Sequence, residues 1–119
     1  MQSKKLDMPI LCGVSTLDEA RQALLCGAEA LKFYPATAIS PLALKDILGE
    51  LRRDGAFLNG YVTDIIVAGG VSETDFGPYI AAGATNFAMG FDCKTMTPSQ
   101  IRMKLKGFNK LLLQIKREI

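Results

Sequence analysis

The sequence predicts an α/β domain built on parallel strands. Three observations carry that expectation. Four apolar runs of strand length alternate with four helix patterns along the chain. Each helix pattern opens on a serine or threonine suited to cap it. The length of 119 residues, 49% hydrophobic and 22% charged, suits one soluble globular domain.

The first strand is expected from Met8 to Gly13. Thr16 and Glu19 have capping-box spacing, so the threonine oxygen accepts from a free helix N–H and Glu19 reaches back. That helix stops at Gly27. The second strand is Ala30 to Pro35, an apolar run interrupted by Lys32. Ser40-Pro41 then supplies an N-cap and a first-position proline. Leu44, Ile47, Leu48 and Leu51 follow at the spacing of an inward helical stripe. A loop spans Asp54 to Gly60, and Val62 to Ala68 is the third strand, ending in Gly69-Gly70. Ser72 opens the third helix, which closes at Gly83. Thr85 to Met89 is the fourth strand, and Thr97-Pro98 opens a helix that runs to the C-terminus, with Gln100 at the capping-box position. Gly13-Val14-Ser15 recurs as Gly70-Val71-Ser72, 57 residues on. Cys26-Gly27-Ala28 is echoed by Ala82-Gly83-Ala84 at an offset of 56, so one period spans two strand-helix units.

Alternating strands and helices imply right-handed crossovers and a parallel sheet. The two standard closures are an open doubly wound sheet and a (βα)8 barrel. A complete barrel needs roughly 200 residues or more, so length by itself favours the open sheet.

Composition narrows the chemistry. The chain has no histidine, which excludes a Ser-His-Asp triad and a histidine base. Cys12, Cys26 and Cys93 lack metal-ligand spacing and read as reduced, core-filling thiols of a cytoplasmic protein. No metal or cofactor is implied. No apolar run approaches the ~20 residues of a membrane span. The start, Met-Gln-Ser-Lys-Lys, leads into an apolar stretch too short for a signal peptide. Net charge is +2, yet six of the 14 basic residues fall at or after Arg102. There Ile101, Leu105, Phe108, Leu112, Ile115 and Ile119 form one apolar helix face with lysines opposite. This reads as a packed helix with a solvated outer side, and neither nucleic acid nor membrane is expected as a partner.

In such folds the functional edge is the C-terminal end of the strands. Lys32 stands out there, because a lysine is rarely buried in an apolar strand without a reason. Period-two alternation puts Ala30, Lys32 and Tyr34 on one face and Leu31 and Phe33 on the other. Two readings fit. One is an edge-strand lysine that blocks aggregation. The other is an amine made nucleophilic by apolar surroundings. Gly69-Gly70 would let backbone N–H groups approach a phosphate, and Gly90 before the last helix is a weaker version of the same feature.

These segments together resemble a known family. Gly13-Val14-Ser15-Thr16 with Glu19-Ala20, then Gly27-Ala28 and Ala30-Leu31-Lys32-Phe33-Tyr34-Pro35-Ala36, are similar to motifs of the 2-keto-3-deoxy-6-phosphogluconate and -phosphogalactonate aldolases. Gly69-Gly70-Val71 resembles that family's phosphate loop. Ser40-Pro41 with Leu44-Lys45, and Tyr79 to Ala84, look more like the galactonate branch.

The resemblance implies a single domain over residues 1–119, made of four βα units corresponding to the C-terminal half of a TIM (β/α)8 barrel. It implies an aldehyde-lyase of the class I, Schiff-base type, with no cofactor. Lys32 matches the imine-forming lysine. The substrate would be a phosphorylated keto-sugar acid, cleaved to pyruvate and glyceraldehyde 3-phosphate. Gly13, Pro35, Ala68, Gly69, Gly70, Gly90 and Phe91 match positions around substrate and phosphate. The family often has serine where Phe91 stands, so Phe91 brings bulk in place of a hydroxyl. Ala68 stands where the gluconate branch often has threonine. Asp92 is a candidate substitute acid or base.

The matched motifs belong to strands five to eight of the family barrel. Its proton-shuttling glutamate and a substrate-binding arginine fall outside them. Impaired or oligomer-dependent activity is therefore expected, with a homo-oligomer or a separate N-terminal half as partner. A non-catalytic half-barrel remnant and an interaction module are the alternatives. The open strand face, with Ile10, Tyr34 and Ile66, predicts self-association.

Overall fold

A computed structural model describes residues 10–55 and 64–118. Strands β1 (Leu11–Val14), β2 (Ala30–Phe33), β3 (Asp64–Ala68) and β4 (Asn86–Ala88) form one sheet in the order β1-β2-β3-β4. All three pairings are parallel. Helices α1 (Leu17–Leu25), α2 (Pro41–Arg53), α3 (Phe76–Ala82) and α4 (Pro98–Glu118) follow the strands in turn. The expected starts of the first and third strands, Met8 and Val62, most of the expected loop to Gly60, and Ile119 lie outside the described residues.

The strand order settles the closure. A doubly wound sheet reverses its order at a switch point, which sends helices to both faces. Here each crossover moves to the next strand on the same side, so right-handed crossovers put every helix on one face. This is the sequential winding of a (βα)8 barrel, present for four strands.

Burial follows from that winding. Val14, Leu31, Phe33, Ile65 and Val67 point to the helix side and are buried with Ala20, Leu44, Leu48, Leu51, Tyr79 and Ala82. Each fully buried leucine contributes about 1.5–3 kcal/mol relative to exposure. On the other face Leu11 is 50% and Tyr34 55% exposed. The side chains of Asp64, Asn86 and Ala88 on this face are also exposed, whereas Lys32 and Ile66 are half-buried. Ile10, expected here, alternates with Leu11 and so falls on the side of Cys12 and Val14 instead.

The caps largely match the sequence. Ser40 accepts from the Ala43 N–H at 3.1 Å, and Thr16 from the Glu19 N–H at 3.2 Å. Glu19 reaches back one residue further than the expected box, to the N–H and hydroxyl of Ser15. Thr97 and Gln100 form the expected reciprocal pair. Ser72 instead caps a short 3-10 turn, Glu73–Asp75, that leads directly into α3.

Two further expectations fail. Cys12 is half-buried against the core, but Cys26 and Cys93 are exposed, so most of the cysteines are not core filler. The long α4 is less packed than its apolar stripe predicts. Phe108 is buried, but Leu105 is 47% exposed. A 21-residue helix is roughly 31 Å long, whereas three-residue β4 spans roughly 10 Å. The neighbouring elements are too short to cover it. Its contact is an aromatic cluster in which Phe108 meets Phe76 at 6.1 Å and Phe91 at 6.2 Å between ring centroids.

The loop after β2 is held from two sides. The Tyr79 hydroxyl, buried in α3, lies 2.9 Å from the Ala36 carbonyl and 2.6 Å from that of Ile39. Gly69 packs under the cis Tyr34–Pro35 peptide: a Cβ there would lie 2.9 Å from the Pro35 Cα. Its φ of +90° disfavours any side chain as well.

Tyr79→Phe removes the one O–H shared by two buried carbonyls, of which that of Ala36 keeps the Ile39 N–H, and is expected to cost about 1–2 kcal/mol in chemical denaturation. Gly69→Ala combines a positive φ with a backbone collision and is expected to cost about 2–3 kcal/mol. Gly90→Ala, with nothing within 4 Å of the added carbon, serves as its near-neutral control.

Candidate functional site

Because the strands are parallel, their C-terminal ends share one edge of the sheet. Lys32 occupies the third position of β2, beside Gly13 of β1 and Ile66 of β3. Ile66 in turn pairs with Asn86 of β4, so Gly13, Lys32, Ile66 and Asn86 form one row. Strand β2 is paired on both sides, which overturns the reading of Lys32 as an edge-strand lysine. The side chain is half-buried on the open face rather than enclosed. Its Nζ stands 5.8 Å from the centroid of the Tyr34 ring.

Beside this row lies an open concavity of about 230 Å³, lined by Gly13, Val14, Ser15, Glu19 and Tyr34. Gly13 has space around it, since an added Cβ would meet nothing within 4 Å. Glu19 Oε1 accepts from the Ser15 N–H at 2.9 Å and the Ser15 hydroxyl at 2.8 Å. Donation from Ser15 first, and then from Thr16, holds the Glu19 carboxyl below its usual range. Glu19 is therefore a carboxylate at neutral pH and is poorly suited to donate a proton.

The third strand end adjoins the second. Ala68 is buried, and Gly69 and Gly70 have φ values of +90° and +76°. A Cβ on Gly69 would lie 3.0 Å from Tyr34 Cδ2, and one on Gly70 2.8 Å from Thr37 Cγ2. Both glycines are thus needed to seat the Tyr34–Thr37 loop, whatever else their N–H groups bind. Gly13, Lys32, Pro35, Ala68, Gly69 and Gly70 come together around the ends of β1 to β3.

The segment after β4 turns elsewhere. The Phe91 ring packs on Phe108, and Lys104 Nζ stands 5.3 Å from its centroid. The bulk that substitution with phenylalanine brings is therefore taken up by α4. Asp92 accepts from the Lys94 N–H at 2.9 Å, an exposed local turn. Gly90 is exposed.

Local patterning does not single out Ser15, Glu19 or Tyr34 as site residues. The spacing of Ser15, Thr16 and Glu19 is already accounted for by a helix cap. Tyr34 had a usable signal: it lies two residues from Lys32 and so shares its face. Among the described residues, no group of three or more histidine, cysteine, aspartate or glutamate side chains is placed to hold a metal ion. Nor, among them, is any helix long and apolar enough to cross a membrane.

Comparison with known proteins agrees with this arrangement. No family model matches the chain. A probable 2-dehydro-3-deoxy-6-phosphogalactonate aldolase of Rhizobium meliloti (strain 1021) is 36% identical over 83 residues, which are 70% of this chain and 35% of that protein. The 2-dehydro-3-deoxy-6-phosphogalactonate aldolase of Escherichia coli (strain K12) is 32% identical over 85 residues, 71% of this chain and 38% of the relative. The matches thus span little more than a third of these relatives' length. A solved structure described as native KDPGal superposes with a TM-score of 0.67 at 26% identity, covering 98% of this chain and 52% of that one. Two others show the fold alone. A designed cube-shaped protein cage has a TM-score of 0.77 at 24% identity, over 98% of this chain and 41% of that one. A thiamine phosphate pyrophosphorylase from Pyrococcus furiosus has a TM-score of 0.69 at 18% identity, over 96% and 53%. With a lysine-bearing second strand set in a partial barrel, the chain resembles the 2-keto-3-deoxy-6-phosphogluconate/phosphogalactonate aldolase-like family over about 70% of its own length.

Proposed function

We propose that this chain carries class I aldolase chemistry at Lys32, toward a 2-keto-3-deoxy-6-phospho sugar acid. The observation that carries the reading is the placement of Lys32. It is on an interior strand, half-buried on the open face, beside a concavity at the strand ends. Its amine attacks the keto carbon, and loss of water leaves a protonated imine. That imine draws electrons from the neighbouring carbon–carbon bond, which breaks to an enamine and releases glyceraldehyde 3-phosphate. Protonation and hydrolysis then release pyruvate and restore the lysine.

The surrounding residues take supporting roles in this reading. Gly13 leaves room for the keto acid beside Lys32. Pro35 and Ala68 wall the same corner, and the backbone of Gly69 and Gly70 faces the phosphate. Gly90 approaches the phosphate from the fourth strand end in this reading, whereas Phe91, packed on Phe108 of α4, takes no part in it. Asp92 is the nearest match to a substitute acid or base on that loop. We infer a cytoplasmic setting from the thiol content and from the phosphorylated substrate class.

A second reading has its own observation. The matches cover 35–38% of the aldolase relatives, and the proton-shuttling glutamate implied by the resemblance lies outside the matched motifs. Acid–base assistance is commonly worth ~100- to 10,000-fold in rate. A half-barrel that forms imines but turns over slowly, or a non-catalytic remnant, is the reading that applies where no other segment supplies that group.

The open face supports an assembly. Parallel sheets are normally covered on both sides, and among the described residues Leu11 and Tyr34 of this face are left in water. We infer that a second copy covers this face, either by closing an eight-stranded ring or by packing face to face. A separate N-terminal half is the other way to complete the barrel.

Two measurements test these readings. Incubation with pyruvate and borohydride, followed by intact-mass analysis, is expected to show a reduced adduct on the wild type and none on Lys32→Ala. Absence of adduct at high pyruvate would leave only the remnant and interaction-module readings. Coupled detection of released pyruvate then separates imine formation from turnover. Light scattering at micromolar concentration is expected to report at least two chains per particle, and a sharp monomer peak would overturn self-association.

A further inference from the structure

Tyr34 is the aromatic residue beside the proposed amine, and aldolase chemistry as stated above gives it no role. Three observations converge on it. Its ring lies 5.8 Å from Lys32 Nζ, within the range of cation–π attraction. It is 55% exposed, on the open face shared with Lys32. It also lines the concavity with Gly13 and Glu19.

We propose that the face of the Tyr34 ring carries the positive charge of the Lys32 imine, favouring the iminium over the free ammonium. This rests on the reading of Lys32 as the imine-forming amine. The net step is balanced: the Lys32 ammonium and a keto acid give a protonated imine and one water. A carbon–nitrogen double bond replaces the carbonyl, two ammonium protons leave with the carbonyl oxygen, and the positive charge stays on nitrogen.

The ring distinguishes the two cations through hydration. An ammonium is a compact charge with three N–H donors that compete strongly for water. The iminium keeps one N–H, is planar, and has one side shielded by the keto acid. Its hydration is weaker, so the aromatic face counts for more, as it does for a guanidinium stacked on a ring. At an exposed site such attraction corresponds to about 2- to 5-fold in an equilibrium constant. The benefit belongs to the ring, not to the hydroxyl.

The test is borohydride trapping at a series of pyruvate concentrations, read as the half-saturating concentration by intact mass. Tyr34→Phe is expected to match the wild type, and Tyr34→Leu to need about 2- to 5-fold more pyruvate. Because Tyr34 also packs against Gly69, the Leu variant alone leaves a structural cause open. Phenylalanines of increasing fluorination at position 34 keep the ring's shape while draining charge from its face. They are expected to weaken trapping stepwise, with unchanged thermal unfolding. Trapping that does not vary across the fluorinated series, or Tyr34→Phe losing as much as Tyr34→Leu, would overturn the role of the ring. If the wild type traps no pyruvate at all, the reading of Lys32 itself fails, and this inference with it.

Discussion

Every crossover in this sheet turns the same way, and most of the molecule follows from that constraint. Four parallel strands in sequential order can place their helices on only one face. That face holds the packed core of Leu31, Phe33, Val67 and the leucines of α2. The opposite face then bears Leu11, Lys32 and Tyr34, with no covering layer among the described residues. Its exposure is unfavourable for an isolated chain, yet the same exposure makes the amine of an interior strand accessible. Stability and access to the lysine pull in opposite directions at this one surface.

The strand-end loops show how tightly the site is built even in a partial barrel. The loop after β2 is clamped by the Tyr79 hydroxyl from the helix side and seated against Gly69 from the neighbouring strand. These contacts come from two different βα units, so the position of Tyr34 beside Lys32 depends on the whole sheet rather than on β2 alone. The loop after β4 has no comparable tie to the lysine. Its Phe91 packs on Phe108, with Lys104 over both rings, and so belongs to the docking of α4. The site is firm at β1 to β3 and turns away at β4.

The glycines and cysteines show where residue-type reasoning stops. Gly69-Gly70 was legible as a place of close backbone approach. The neighbour that requires it is Pro35, 34 positions earlier, in addition to any phosphate. Cysteine is usually buried, but Cys26 caps the end of α1 and Cys93 sits in a turn, so both reach solvent. The residue type was informative for the glycines and misleading for Cys26 and Cys93, and in both cases the position in the fold decided the outcome.

The sequence by itself determined the four strand-helix units, the caps at Thr16, Ser40 and Thr97, the buried faces of β2 and α2, and the unusual Lys32. These are local properties, set by period-two or 3.6-residue patterning and by side chains bonding within four positions. Only the tertiary structure decided that β2 is an interior strand, that Phe91 faces α4, and that Tyr34 stands beside the lysine amine. Alternation reveals which side a residue faces but not which strands flank it. That information resides in pairings between segments far apart in the chain, and in how much neighbouring surface is present to cover what each segment exposes.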